Sequence, residues 1–593
     1  MDRRMWMLRG AQRQIEDSRY HTLSVEMDAI LPVPFWEEND IYGLMEPEVR
    51  QAAGLTDVID FPAWRRMAKG STLEEIYDDL SSRVTGVNLR PLAARERELR
   101  MRMPVLMQDV HALIRLAKRL GKRVVIYGRA PNLLTADDVR QMLTARGAEM
   151  PDELYIGSWD GEISGAQTVQ LSCERLPSPL MSAKRAAQRL HARQGSFIAS
   201  GEAMRFIGVR AMHGMAALHP SLTDAPGVGY GKLGQYLFSQ AMWLAEEMRR
   251  GGYERLVFLA RDGYWVKQAF DRIAAAMGLS VETDYVRISR QAAFPLHFRT
   301  RADLLSLPVL TDMTAHTPRS LLALLEPVVS GDGEALMKQH GLPMDGRLTA
   351  EASARFVQIV ADRLYDAGRA AQYRDHAAAY LKPHFTGRCA TFDVGYNLRS
   401  EGVIRDVTGA EVTAFITHTD SDLPDRRGVA YRTLYPASPW VSWIAREQFL
   451  LEDGPACVGY DAHGPVLRED VSVHPAIRRA QQEALAFVED MARVYGPELT
   501  RLHLRPADGG AAFEDFLHRG PYRLMREFRG SCVENGFHAG EREEDSPFLQ
   551  WLLMQTDFRA AKTGEPRALT KLRRLFIRAC EEPRSIARRI LRR

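Results

Sequence analysis

Apolar and polar positions along the chain alternate between two periods, which predicts interleaved helices and buried parallel strands. Residues 92–121, rich in Leu, Arg, Glu and Met, read as one long helix ending at Gly121. The run Val124-Val125-Ile126-Tyr127 follows as a buried strand. A helix from about Thr135 to Ala145 comes next, with Thr135 as N-cap and Asp137 and Asp138 in its first turn. Leu154-Tyr155-Ile156 closes this region as a short strand. Helix, strand, helix and strand at this spacing predict a first α/β domain over 20–175.

An Arg-rich stretch near 176–200 reads as a linker or connecting helix. A second α/β domain is predicted over 200–425. It has a helix at 232–250, a strand Leu256–Ala260 and a polar turn Arg261-Asp262-Gly263. A helix Tyr264–Met277, a strand Asp284–Ser289, a helical insert at 315–382, a strand Cys389–Val394 and an apolar strand at 411–417 complete it. Residues 440–593 read as mainly helical after a β-like stretch near 456–467. The expected class is α/β, with two Rossmann-like parallel-sheet domains and a helical C-terminal region. A chain of 593 residues exceeds what one core sustains, in keeping with that division.

Composition narrows the class. Apolar residues at 45% and charged residues at 26% are ordinary for a globular protein. No apolar run reaches the roughly 18 residues that span a bilayer, and the charged N-terminus lacks a signal-peptide core, so a cytoplasmic protein is expected. Cys173, Cys389, Cys457, Cys532 and Cys580 lie too far apart for a zinc site, and their odd number argues against a disulfide framework. A net charge of +3 argues against nucleic acid as a partner. Residues 567–593, however, hold ten Arg or Lys against Glu581 and Glu582, with Leu569, Leu572, Phe576, Ile586 and Ile590 at roughly helical spacing. Such an end is either a terminal helix packed on its own domain or a peripheral contact with a membrane, at the inner membrane, or with a protein.

Ligands of open parallel sheets bind beyond the carboxyl ends of the strands, and three polar clusters fall there. They are Ala260-Arg261-Asp262-Gly263-Tyr264, Ser289-Arg290-Gln291 and Asp393-Val394-Gly395-Tyr396-Asn397. An Asp at a strand end can be a nucleophile, a base, a metal ligand or the anchor of a routine turn. Gly263 and Gly395 allow backbone N–H groups to approach a ligand, and Arg261 and Arg290 are planar donors for phosphate or carboxylate. His213, His219, His297 and His418 are scattered and form no metal pattern. Gly227-Val228-Gly229-Tyr230-Gly231 follows no strand and reads as a flexible lead into the next helix.

Phe258-Leu259-Ala260-Arg261-Asp262-Gly263, Ser289-Arg290-Gln291-Ala292 and Phe392-Asp393-Val394-Gly395 agree in order and spacing with a known family. The chain resembles haloacid-dehalogenase-like (HAD-like) proteins of bacterial capsule, lipopolysaccharide and rhamnan synthesis loci, over about 205–420 and more weakly over 440–470. The resemblance extends in outline to the first region, where His21–Ala29 stands in place of the first catalytic strand. There the nucleophilic Asp matches Val25, the Thr of the motif matches Ala29, and the remaining Asp28 falls on a non-nucleophilic position. A one-residue change of register would bring Glu26 or Asp28 into question instead. Gly128 stands where a Ser or Thr is expected, and the loop 157–165 has no Lys. Without a carboxylate nucleophile no aspartyl-phosphate forms, so the first domain reads as a pseudo-phosphatase.

What the resemblance implies is a role in surface-polysaccharide synthesis. The second domain would bind a sugar phosphate or nucleotide sugar through Arg261, Gly263, Ser289, Arg290, Gly395 and Asn397. Asp262 and Asp393 would be base or metal ligand if it is catalytic, and Mg2+ is the one cofactor candidate. Two other classes fit the residues: a non-enzymatic scaffold docking through its basic tail, and a glycosyltransferase, although none of the three strand-end clusters carries an Asp-x-Asp motif.

Overall fold

The computed structural model describes residues 3–35, 39–57, 59–83, 86–129, 133–156, 166–176, 178–193, 206–218, 228–395, 397–419, 428–435, 443–469, 473–502, 504–529 and 547–581. The chain is α/β and forms two compact units, each holding one parallel sheet. Unit 1 comprises 1–239, 275–278 and 483–513; unit 2 comprises 240–274, 279–482 and 514–593. Residues 440–593 are thus divided between the two.

The sheet of unit 1 has four strands: β1 (Thr22–Glu26), β2 (Arg123–Tyr127), β3 (Glu153–Tyr155) and β4 (Thr168–Leu171). Their order is β3-β2-β1-β4 and every pairing is parallel. Leu23, Val25, Val124, Val125 and Ile126 are fully buried, as strands covered on both faces require. The expected helix at 92–121 is two helices, Leu92–Arg102 and Gln108–Arg119. The break falls at Pro104, which has no N–H to donate to a helical ladder. Thr135 caps the Ala136–Ala145 helix through a reciprocal capping box with Asp138. The expected linker contains the helix Pro179–Arg193, and its residues 194–200 lie outside the described residues.

The Gly-rich lead also differs from its reading, although Gly227 lies outside the described residues. Gly229–Leu233 is a wide helical turn running directly into the helix Gly234–Gly251. A Cβ on Gly234 would lie 2.6 Å from the Phe487 Cβ, so glycine here permits tight helix packing. Tyr230 donates to Asp490 at 2.7 Å.

The sheet of unit 2 has five strands: β5 (Arg255–Leu259), β6 (Glu282–Val286), β7 (Cys389–Asp393), β8 (Val412–Ile416) and β9 (Ala430–Thr433). Their order is β6-β5-β7-β8-β9, again parallel throughout. β6 stops at Val286, three residues before the predicted end, because Ser289 opens a helix. Between β6 and β7 lies the helical insert, which has its own apolar core around Leu321, Leu325, Phe356 and Val360. An antiparallel hairpin, β10 (Ala456–Asp461) and β11 (Gly464–Arg468), accounts for the β-like stretch, with Gly464 at its turn in a left-handed conformation. Among the described residues no helix is long and apolar enough to cross a membrane.

Candidate functional site

In unit 2 the chain leaves β5 for β6 on one side and returns to β7 on the other. Connections then depart in opposite directions from β5 and β7, and a crevice opens at their carboxyl ends. Two of the three predicted clusters border it. The segment 260–263 follows β5, and Asp393 is the last residue of β7.

Asp393 accepts hydrogen bonds from the backbone N–H groups of Val394 and Gly395. A Cβ on Gly395 would sit 2.8 Å from Asp393 Oδ2, so glycine is what allows this close wrap. Burial pushes the Asp393 carboxyl upward in pKa, against the pull of those two N–H groups and of Arg290. Asp262 is raised to about 7, by burial first and the Asp393 charge second, with Arg261 and Arg290 acting against both. Glu401, in the first turn of the helix Arg399–Thr408, is raised to about 8 by burial and by Asp393. Asp393 thus raises both Asp262 and Glu401, and Arg261 and Arg290 offset only part of the rise at Asp262.

The segment after β7 carries two further signs of a ligand site. Glu401 is 1% exposed, and its Oε1 has no hydrogen-bond partner; neither has the buried Asn397 Oδ1. Buried acceptors left without donors are costly. Between these two groups Leu398 has a φ of 52°, the sole positive φ outside glycine among the described residues. Such conformations cost on the order of 1 kcal/mol and gather where a site needs the chain to turn.

The other predicted residues have clear local duties. Arg261, whose peptide bond with Ala260 is cis, is half-buried, and its Nη1 donates to the Gly454 carbonyl at 3.4 Å. Gly263 begins the helix Gly263–Met277, where a Cβ would lie 3.2 Å from that of Phe258; glycine there serves close packing of helix on strand. Ser289 caps the helix Arg290–Ala293 by accepting from the Ala292 N–H at 3.0 Å, and its hydroxyl donates to the Cys457 carbonyl at 2.6 Å. It ties β6 to the hairpin. Arg290 is exposed, and its charge reaches both Asp262 and Asp393. Tyr396 lies outside the described residues.

A wall beside the crevice went unread in the sequence. Arg287 donates to both oxygens of Glu452 at 2.6 and 3.0 Å, and Tyr285 donates to Glu452 Oε2 at 2.7 Å. The Arg287 guanidinium stands 5.0 Å over the Tyr285 ring, whose other neighbour is the edge of Tyr264. This anchors the 451–455 segment to β6. Glu401 was also missed, and its signal was a carboxylate three residues before the buried Ile404, on an apolar helix face.

In unit 1, β1 and β4 form the corresponding switch point. Val25 is fully buried within β1, so the aligned nucleophile position holds hydrocarbon. The strand ends in Glu26, whose Oε2 accepts from the Cys173 N–H at 2.7 Å and whose Oε1 pairs with Arg129 at 3.1 Å. Arg129 also reaches Glu174 at 2.5 Å. Asp28 is exposed and Ala29 buried in the short helix that follows. The loop 157–165 lies outside the described residues.

Among the described residues no group of three or more His, Cys, Asp or Glu is gathered to hold a metal ion such as Mg2+.

The sequence matches no protein-family model and, at a significant level, no curated protein.

Proposed function

We propose that unit 2 binds a sugar phosphate or nucleotide-linked sugar in the crevice between the carboxyl ends of β5 and β7. The observation that carries this is the placement of Asp262 and Asp393 at the carboxyl ends of the two strands of one switch point, beside Arg261 and Arg290. A phosphorylated sugar answers both needs of the cluster. Its phosphate accepts from guanidinium groups, and its hydroxyls donate to acceptors such as Glu401 Oε1 and Asn397 Oδ1. Asp262, raised toward neutrality, is suited to take or give a proton at a sugar hydroxyl.

On this reading the chain is a HAD-like protein of bacterial surface-polysaccharide synthesis, and both sheets are Rossmann-like. Unit 1 is then a HAD-type domain without phosphatase chemistry, since Glu26 is committed to Arg129 and the Cys173 N–H. Phosphohydrolase or transfer activity belongs to unit 2 if to either.

The test is a melting-temperature screen against sugar phosphates and nucleotide sugars, with Asp262→Ala and Asp393→Ala alongside. A ligand at a hundredfold excess over its Kd adds about 2.7 kcal/mol of stability, a shift of several degrees. The expected result is a shift from one sugar class that both variants lose. No shift from any of them in the parent protein, or one unchanged in the variants, would overturn the reading.

A further inference from the structure

We infer that the helix Arg567–Glu581 is a docking surface for an anionic lipid bilayer, independent of the sugar-binding reading. The helix packs on the helix Pro547–Thr563, yet none of its residues from 567 to 580 is buried. Its orientation is inverted. The half-buried positions are Thr570, Arg573, Arg574, Ile577 and Arg578, so a largely polar face rests on the protein. Arg574 pairs with Asp557 at 2.9 Å and Arg573 with Glu565 at 2.7 Å. The cleft of about 440 Å³ between the two helices is lined by Asp557, Glu565, Thr570, Lys571 and Arg574 among others.

The apolar face points outward instead. Leu569, Leu572, Leu575 and Phe576 are 43%, 63%, 59% and 70% exposed, and their spacing sets them on one arc. Single exposed apolar residues are commonplace, but a contiguous stripe marks a binding surface. The exposed Lys571 borders this arc, where its stem can lie along an apolar layer and its charge reach headgroups.

Charge selects the occupant. Residues 567–593 carry ten Arg or Lys against two Glu, including Arg584, Arg588, Arg589, Arg592 and Arg593 after the helix. A second copy would set this positive charge against its like, which disfavours self-association. An anionic bilayer offers an apolar layer and negative headgroups together, and each nearby Lys or Arg strengthens that attachment.

Flotation of the full chain with vesicles tests this. Two compositions are compared, phosphatidylcholine alone and phosphatidylcholine with about 30 mol% phosphatidylglycerol, at salt from about 50 to 500 mM. The expected result is at least about tenfold stronger association with anionic vesicles, falling with salt. The Leu572→Glu/Phe576→Glu variant should lose about tenfold or more of it while melting at the parent temperature, since both side chains are exposed. Equal retention by the variant, or no flotation of the parent protein, overturns the proposal. So does a concentration-dependent dimer that the variant abolishes without any vesicle binding, which would make this face a self-association surface.

Discussion

Burial, and after it the charge of Asp393 at the end of β7, push the carboxyl of Asp262, after the neighbouring strand β5, up to about 7. An acid with a higher pKa folded than unfolded favours folding while protonated in both states. That contribution is whole below about pH 4 and is lost as pH rises through about 7. The buried histidines of unit 2 act the other way: His418 is lowered to about 3 and His518 to about 4, each favouring folding above the ordinary histidine range. Differences between variants separate these effects.

Asp262→Asn is therefore expected to match the parent protein near pH 4 and to exceed it in stability by about 2 kcal/mol at pH 8, after allowance for partial exposure. Urea unfolding at a series of pH values checks this. A constant difference at every pH would disprove the coupling.

Glu401→Gln imitates the protonated carboxyl. Because Glu401 is raised from about 4.5 to about 8, the substitution should be nearly silent near pH 4, stabilising in part at pH 6 and most stabilising at pH 9. A substantial loss of stability at pH 6 would show instead that the charged form is the one the fold requires.

Glu452→Ala removes the partner of both Arg287 and Tyr285. A cost of about 2–3 kcal/mol is expected, together with weaker ligand response, because the 451–455 segment loses its anchor to β6. Denaturant midpoints and the melting screen measure the two effects separately.

The pair Arg446–Glu514, 2.8 Å apart with both side chains fully buried, gives a reference value from residues outside the Asp262–Asp393–Glu401 cluster. Glu514→Ala leaves a buried guanidinium without its carboxylate and should cost about 3–5 kcal/mol. A loss below about 1 kcal/mol would mean that water enters this part of unit 2.

The apolar runs around Val124–Tyr127, Leu256–Leu259 and Cys389–Asp393 were legible as strands because both faces of a parallel strand are covered, leaving little room for polar side chains. Their ends put Asp262 and Asp393 beyond or at the carboxyl ends of two strands. β4 was not legible, since Thr168-Val169-Gln170-Leu171 buries only alternate residues and is short. β9 shows exposed alternate positions at a sheet edge and escaped for the same reason. Glu452 could not be found by period or by motif, and Glu401 shows only as one carboxylate on an apolar helix face. Each matters through partners more than a hundred positions away or across a turn, and only the folded sheet brings these into range.

About 130 residues of chain, including the whole helical insert, separate Asp262 from Asp393. A loop of that length closes against considerable chain entropy, and closing it is what confronts the two carboxylates. A truncated product ending before β7 would carry half of the crevice and none of its proton sharing. Ligand binding at this place would accordingly report that synthesis and folding have passed β7, since no earlier intermediate along the chain possesses both of its edges.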